Sequence, residues 1–136
     1  MHADGAHYVG RVFLEEIKSR GWKPEAIGGL TMGADPIACA VAYYSQSRRQ
    51  PIAAFSVRKE AKSHGMQRWV EGAVRPRARV AVVEDVVTTG ESTLRAIARC
   101  REEGLRVERV VALVDREEGG MERIAARRRK GIRRAR

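Results

Sequence analysis

Four short apolar stretches, Ala26 to Leu30, Ile52 to Val57, Arg79 to Glu84 and Arg109 to Val114, constrain the fold of this chain more than anything else in it. A strand that faces water on one side alternates apolar and polar residues. These stretches keep a continuous Val, Ile and Ala character instead, which fits strands covered on both faces, as parallel sheets require. Helical patterns separate most of them. Ala6, Val9, Phe13 and Ile17 recur at helical spacing, and Gly21 closes that helix. Asp35 and Pro36 read as the N-cap and first-turn residue of a second helix, whose apolar face is Ile37, Val41 and Tyr44. A third starts near Ser92, presents Leu94, Ile97 and Ala98, and ends at Gly104. Alternating helix and strand gives the α/β class: a mostly parallel twisted sheet flanked by helices, with right-handed crossovers.

One connection departs from the pattern. Between Val57 and Arg79 there is no helical periodicity, and residues 58–72 are polar, with five basic groups and with Gly65 and Gly72. So long a segment without structure of its own is uncommon in a compact domain, and it reads as a long flexible lid or binding loop. Trp69 reads as the apolar anchor where that loop returns to the body.

With 136 residues, 43% of them apolar and 32% charged, the chain has room for one domain with a moderate core. No apolar run approaches the roughly 20 residues needed to cross a bilayer, so no membrane partner is expected. Met1 to Gly10 lacks the charged-then-apolar layout of a secretory signal, and the expected location is the cytoplasm. Cys39 and Cys100 each fall in an apolar helical pattern and read as two buried thiols rather than a disulfide or metal pair. The net charge of +10 is unevenly spread: Met121 to Arg136 holds eight basic residues against Glu122, which is +7 of the total. The expected division is a core over residues 1–120 and a basic C-terminal tail over 121–136, solvated or disordered rather than a nucleic-acid site.

Open parallel sheets bind ligands outside the carboxyl ends of their strands, where helix N-termini and loop amides converge. Every chemically loaded stretch falls at such an end: Thr31 to Asp35 after the first strand, Arg58 and Lys59 after the second, Glu84 to Ser92 after the third, Asp115 and Arg116 after the fourth. The strongest is Val80 to Ser92, VAVVEDVVTTGES: a buried strand, two adjacent carboxylates, and a Thr/Gly/Ser turn running into a helix. Such a turn offers backbone N–H groups and the hydroxyls of Thr88, Thr89 and Ser92 to an anion at the positive end of the helix. Gly90 lets the backbone turn tightly around a phosphate. Glu84 and Asp85 can accept hydrogen bonds from the vicinal hydroxyls of a ribose. The bland alternative is an ordinary capped strand-to-helix loop; a P-loop lysine is absent, which removes a nucleoside triphosphatase as a rival.

This stretch resembles the phosphoribosyl diphosphate signature of type I phosphoribosyltransferases. Two further motifs narrow the resemblance: Val57 to Gly65, VRKEAKSHG, is similar to the catalytic lid of orotate phosphoribosyltransferases, and Gly29 to Pro36, GLTMGADP, to their diphosphate-side loop. The resemblance implies the type I phosphoribosyltransferase fold. It implies transfer of ribose 5-phosphate from phosphoribosyl diphosphate to orotate, giving orotidine 5'-phosphate and diphosphate in pyrimidine (UMP) biosynthesis.

The roles it implies fall on matching positions. Glu84, Asp85, Val86, Val87, Thr88, Thr89, Gly90, Glu91 and Ser92 would bind the ribose and 5-phosphate, while Thr88 and Arg116 would also contact orotate. Arg58, Lys59, Lys62 and His64 would contact the diphosphate, with Lys62, His64 and Asp85 as the catalytic groups. The implied cofactor is Mg2+, bridging diphosphate and ribose oxygens with no protein side chain assigned as its ligand. The implied working unit is a homodimer, part of each lid reaching the neighbouring site. The solvated alternatives stand beside these roles: Lys59, Glu60 and Lys62 as a surface charge run, His64 as an exposed side chain, and Arg116 paired with Glu117 or Glu118.

Two departures from the family pattern are expected to matter. An N-terminal hood over the base precedes the helix at Ala6 to Arg20 in the family and has no counterpart in Met1 to His7. The family also continues with another strand and helix where this chain has its Arg-rich end. The alternatives are a non-catalytic phosphoribosyl diphosphate-binding regulator of gene expression, a purine-type phosphoribosyltransferase, and an inactive remnant that only dimerises.

Overall fold

The computed structural model describes residues 1–62 and 68–127 in full, and the backbone of 128–133. Nine elements follow in chain order: helix α1 (Ala3–Ser19), strand β1 (Ala26–Leu30), helix α2 (Asp35–Ser47), strands β2 (Ala53–Val57), β3 (Val70–Gly72) and β4 (Arg79–Val87), helix α3 (Glu91–Glu102), strand β5 (Arg106–Asp115) and helix α4 (Gly120–Arg133). They build one sheet in the order β3-β2-β1-β4-β5. The β1, β2, β4 and β5 pairings are parallel, and β3 alone runs antiparallel, against β2.

The unbroken apolar strands have the cause expected of them. Successive side chains on a strand point to opposite faces, and here both faces are covered. Val80 and Val82 of β4 pack with Leu30, Phe55, Ala96, Ile97, Cys100 and Ile124 on the side of α3 and α4. Ala81 and Val83, between and beyond them, pack with Phe13, Leu14, Ile17, Ile37 and Val41 on the side of α1 and α2. All five residues of β1 are buried. A polar residue at any of these positions would lose its water with no strand face to restore it.

Five expectations are corrected. The segment between Val57 and Arg79 contains β3, a strand of three residues. It is too short for periodicity to reveal and exists because β2 offers a free edge, with Phe55, Ser56 and Val57 opposite Gly72, Glu71 and Val70. Asp35 is the first residue of α2, behind an N-cap at Ala34 that makes no side-chain cap bond; its carboxylate accepts instead from the Thr31 hydroxyl at 2.5 Å. Cys39 is exposed, and only Cys100 is buried. The helix seats Ile37, Ala38, Val41 and Tyr44 inward, and Cys39, two residues past Ile37, points the other way. Strands β4 and β5 run further than their apolar centres, to Val87 and from Arg106. The basic stretch read as a solvated end is helical as far as Arg133, with Ile124 only 2% exposed in the core.

Candidate active site

The carboxyl ends of β1, β2, β4 and β5 lie along one edge of the sheet, because the four strands are parallel. At the centre of that edge β4 gives way to α3. Gly90 is the N-cap, with φ +82°. A side chain there would be strained by that backbone and would also meet the Gly120 carbonyl oxygen, 2.8 Å from where a Cβ would stand. The turn encloses a cavity of about 210 Å³ lined by Glu84 and the run Val86–Thr93. At roughly 30 Å³ per water, this volume has room for a small anion. The free N–H groups of the first helical turn and its macrodipole favour an anion there.

The two acids at the end of β4 lie close enough to interact, but each keeps a further partner of its own. Glu84 is 6% exposed and turns under α3, where the Thr93 hydroxyl donates to it at 3.1 Å. Burial, and next the neighbouring Asp85, push its carboxyl above the usual range, while Thr93 works in the opposite direction. Asp85, whose carboxyl also meets that of Glu84, accepts from the backbone N–H of Val86 at 2.8 Å. Its carboxylate lies against the loop after β1: a Cβ on Gly33 would stand 2.9 Å from Asp85 Oδ1. Asp85 therefore links the β4–α3 turn to the Thr31 to Asp35 loop, two segments separate in sequence.

Helix α4 backs the turn. A Cβ on Gly120 would stand 2.4 Å from the Thr88 carbonyl oxygen and 2.8 Å from the Gly90 nitrogen, so only glycine permits this approach. Arg123 Nη1 donates to the Thr89 carbonyl at 2.8 Å. Val86 and Val87 belong to the strand rather than the loop. Val87 is 1% exposed, so its contribution to the site is confined to the backbone. Thr88 is half-buried, and Thr89, Glu91 and Ser92 are exposed.

The outer residues are looser. Arg116 donates its backbone N–H to Val87 O at 3.0 Å, which seats it beside the β4–α3 turn; its guanidinium lies 3.9 Å from Glu118, with both side chains substantially exposed. Arg58 Nη1 is 3.4 Å from Glu71, so its guanidinium is turned to β3. Lys59 and Lys62 are exposed, and the Lys62 N–H donates to Arg68 O at 3.4 Å. His64 lies outside the described residues. Trp69 anchors the returning leg as expected, but with a partner the sequence did not suggest: the guanidinium carbon of Arg99 on α3 lies 4.0 Å from its ring centroid.

No protein-family model matches the chain. It is 54% identical over 121 residues to the orotate phosphoribosyltransferase of Aquifex aeolicus (strain VF5), across 89% of this chain and 65% of that protein. Among solved structures it superposes on Mycobacterium tuberculosis H37Rv orotate phosphoribosyltransferase in complex with Fe(III) dicitrate with a TM-score of 0.84 and 42% identity, covering 93% of this chain and 70% of the other. The same enzyme in complex with 5-phospho-α-D-ribosyl 1-diphosphate gives a TM-score of 0.81 and 37% identity over 93% and 69%. The mostly parallel five-stranded sheet, with a tight glycine turn at the β4–α3 junction, is that of the type I phosphoribosyltransferase fold. Within that fold, the chain belongs to the orotate phosphoribosyltransferase family. It spans slightly under two thirds of the length of the Aquifex aeolicus relative.

Proposed function

We propose that this chain carries out the orotate phosphoribosyltransferase reaction, in which the bond from ribose C1 to diphosphate breaks and a bond from C1 to a ring nitrogen of orotate forms. The observation that carries the reading is the cavity at the N-terminus of α3, walled by Glu84 and by Val86–Thr93, with Asp85 beside it. The turn would hold the 5-phosphate through its amides and the hydroxyls of Thr88, Thr89 and Ser92. Glu84 and Asp85 would accept from the ribose hydroxyls. Two adjacent carboxyls suit two neighbouring hydroxyls.

Cleavage at C1 leaves an oxocarbenium-like sugar and adds negative charge to the departing diphosphate, so cations must stand ready to meet it. Arg58, Lys59, Lys62 and His64 are assigned that task, as part of a loop that would close over the sugar and exclude water. Arg58 would exchange Glu71 for phosphate oxygens. Thr88 and Arg116, joined through the Arg116 to Val87 backbone bond, would reach the base. The Asp85 carboxylate, held against Gly33, would suit the waters of a magnesium ion carried in on the diphosphate; such an ion would supply charge neutralisation. The working unit in this reading is a homodimer that shares loop residues between sites. The compartment is the cytoplasm, with which two free cysteines are compatible. No described helix is long and apolar enough to cross a membrane.

The test is calorimetric titration with phosphoribosyl diphosphate and magnesium, then orotate in the same cell. Diphosphate release is assayed with orotate, adenine, guanine and hypoxanthine in parallel. The expected result is binding of the sugar phosphate and release with orotate alone. No binding of phosphoribosyl diphosphate would end the proposal; binding without release favours the regulator.

A further inference from the structure

We infer that Arg99 and Glu103, at the C-terminal end of α3, are positioning residues: they hold both legs of the β2–β3 hairpin from behind and so set where Arg58 stands. The inference rests on the proposed role of Arg58 in binding diphosphate.

Both backbone polar groups of Arg58 are engaged. Its N–H donates to Trp69 O at 2.7 Å, and its carbonyl accepts from Arg99 Nη1. The same Arg99 guanidinium lies over the Trp69 ring. Glu103 completes the grip, because its Oε1 accepts from the backbone N–H of Trp69 and from that of Val70, the latter at 2.9 Å. Residues 99 and 103 are one helical turn apart and share a face. One turn of α3 therefore holds the outgoing leg at Arg58 and the returning leg at Trp69 and Val70. These are charge-assisted hydrogen bonds in a half-buried setting, the stronger kind.

The side chain of Arg58 is held far less firmly. Its guanidinium stands 3.4 Å from Glu71, with the two side chains 41% and 44% exposed, and 3.2 Å from the Glu60 carbonyl. A half-exposed pair at that distance contributes little. A fixed backbone carrying a guanidinium that can change partners is what an arginine needs if it is to meet an arriving anion without reordering its loop. The opposite end of α3 forms the phosphate cavity. The helix has 12 residues, about 18 Å at 1.5 Å per residue, so one rigid element sets the spacing between phosphate turn and cations.

The test uses the whole chain and two probes titrated separately by calorimetry with magnesium present: ribose 5-phosphate, which reads the phosphate turn, and inorganic diphosphate, which reads the cations. Arg99→Ala is expected to weaken diphosphate binding about 5- to 10-fold, the scale of one lost hydrogen bond, and to leave ribose 5-phosphate binding unchanged. Arg99→Lys keeps a charge and a donor but loses the planar group over Trp69, and should fall between Arg99→Ala and the unaltered protein. If Arg99→Ala does not fold, Arg99→Lys and Glu103→Gln are read by the same comparison. Unaltered diphosphate affinity overturns the inference, and so does an equal loss for both probes, which would mark a merely structural role. An unaltered protein that binds neither probe overturns instead the sugar-phosphate reading beneath it.

Discussion

Arg123 of α4 donates a hydrogen bond to the carbonyl of Thr89 across 34 positions of sequence. The carbonyl belongs to the peptide unit whose nitrogen is that of Gly90, and in a trans peptide the N–H points opposite to the C=O. A cation on the Thr89 oxygen therefore fixes the plane of the Gly90 amide and strengthens it as a donor. Arg123→Ala is predicted to weaken ribose 5-phosphate binding about 2- to 5-fold, a range set by one exposed hydrogen bond. Arg123→Lys should recover part of the loss. Calorimetry measures both, and equal affinity in all three proteins would show that the bond does not serve the turn.

Ile124 is 2% exposed and packs against the sheet with Ile97 and Val87. Ile124→Ala should lower the stability by about 2–4 kcal/mol, the cost of emptying a closed site. Urea denaturation supplies the measurement. A change below about 0.5 kcal/mol is what an exposed position would give, and it would return this stretch to the solvated tail that its composition suggests.

The buried Glu84 carboxyl is raised above its ordinary value of 4.5, first by burial and then by Asp85. A carboxyl raised in the folded state favours folding below the unfolded value, and that contribution is lost as pH climbs through the folded value. Glu84→Gln removes the charge that becomes unfavourable there. Relative to the unaltered protein, the variant should gain thermal stability at pH 7 more than at pH 4, while its affinity for ribose 5-phosphate falls. A gain that is the same at both pH values would mean that ionisation of Glu84 is not what burial penalises.

Lys62 and Asp85 should fail in different ways. Lys62→Ala is predicted to lower turnover far more than it weakens phosphoribosyl diphosphate binding, because its charge matters most as diphosphate leaves. Asp85→Asn should weaken ribose binding at equilibrium. Single-turnover rates and binding constants for the two variants separate the effects; a lysine variant with ordinary turnover would remove Lys62 from catalysis.

Much of the scaffold was legible because its causes are local. The continuous apolar strands announced a sheet covered twice, and Val80–Ser92 announced a strand, a tight turn and a helix start, because these are adjacent in sequence. What stayed hidden depends on distance along the chain. Strand β3 has three residues and no period of its own. Asp35 looked like a cap until Thr31 took its carboxylate. The Arg-rich end looked solvated since nothing in its charge reveals that Ile124 would be seated in the core.

The alternation of four strands with three helices and the double burial of the sheet follow from the amino-acid sequence alone, since they express periodicity and short-range backbone chemistry. Tertiary structure decided what else Glu84 and Asp85 meet, the first beneath Thr93 and the second against Gly33. It also decided that Arg99 and Glu103 hold the hairpin, and that Gly120 and Arg123 brace the turn. Each of these pairings depends on how a helix seats on the sheet, and that seating is settled by packing across both faces at once rather than by any segment taken singly.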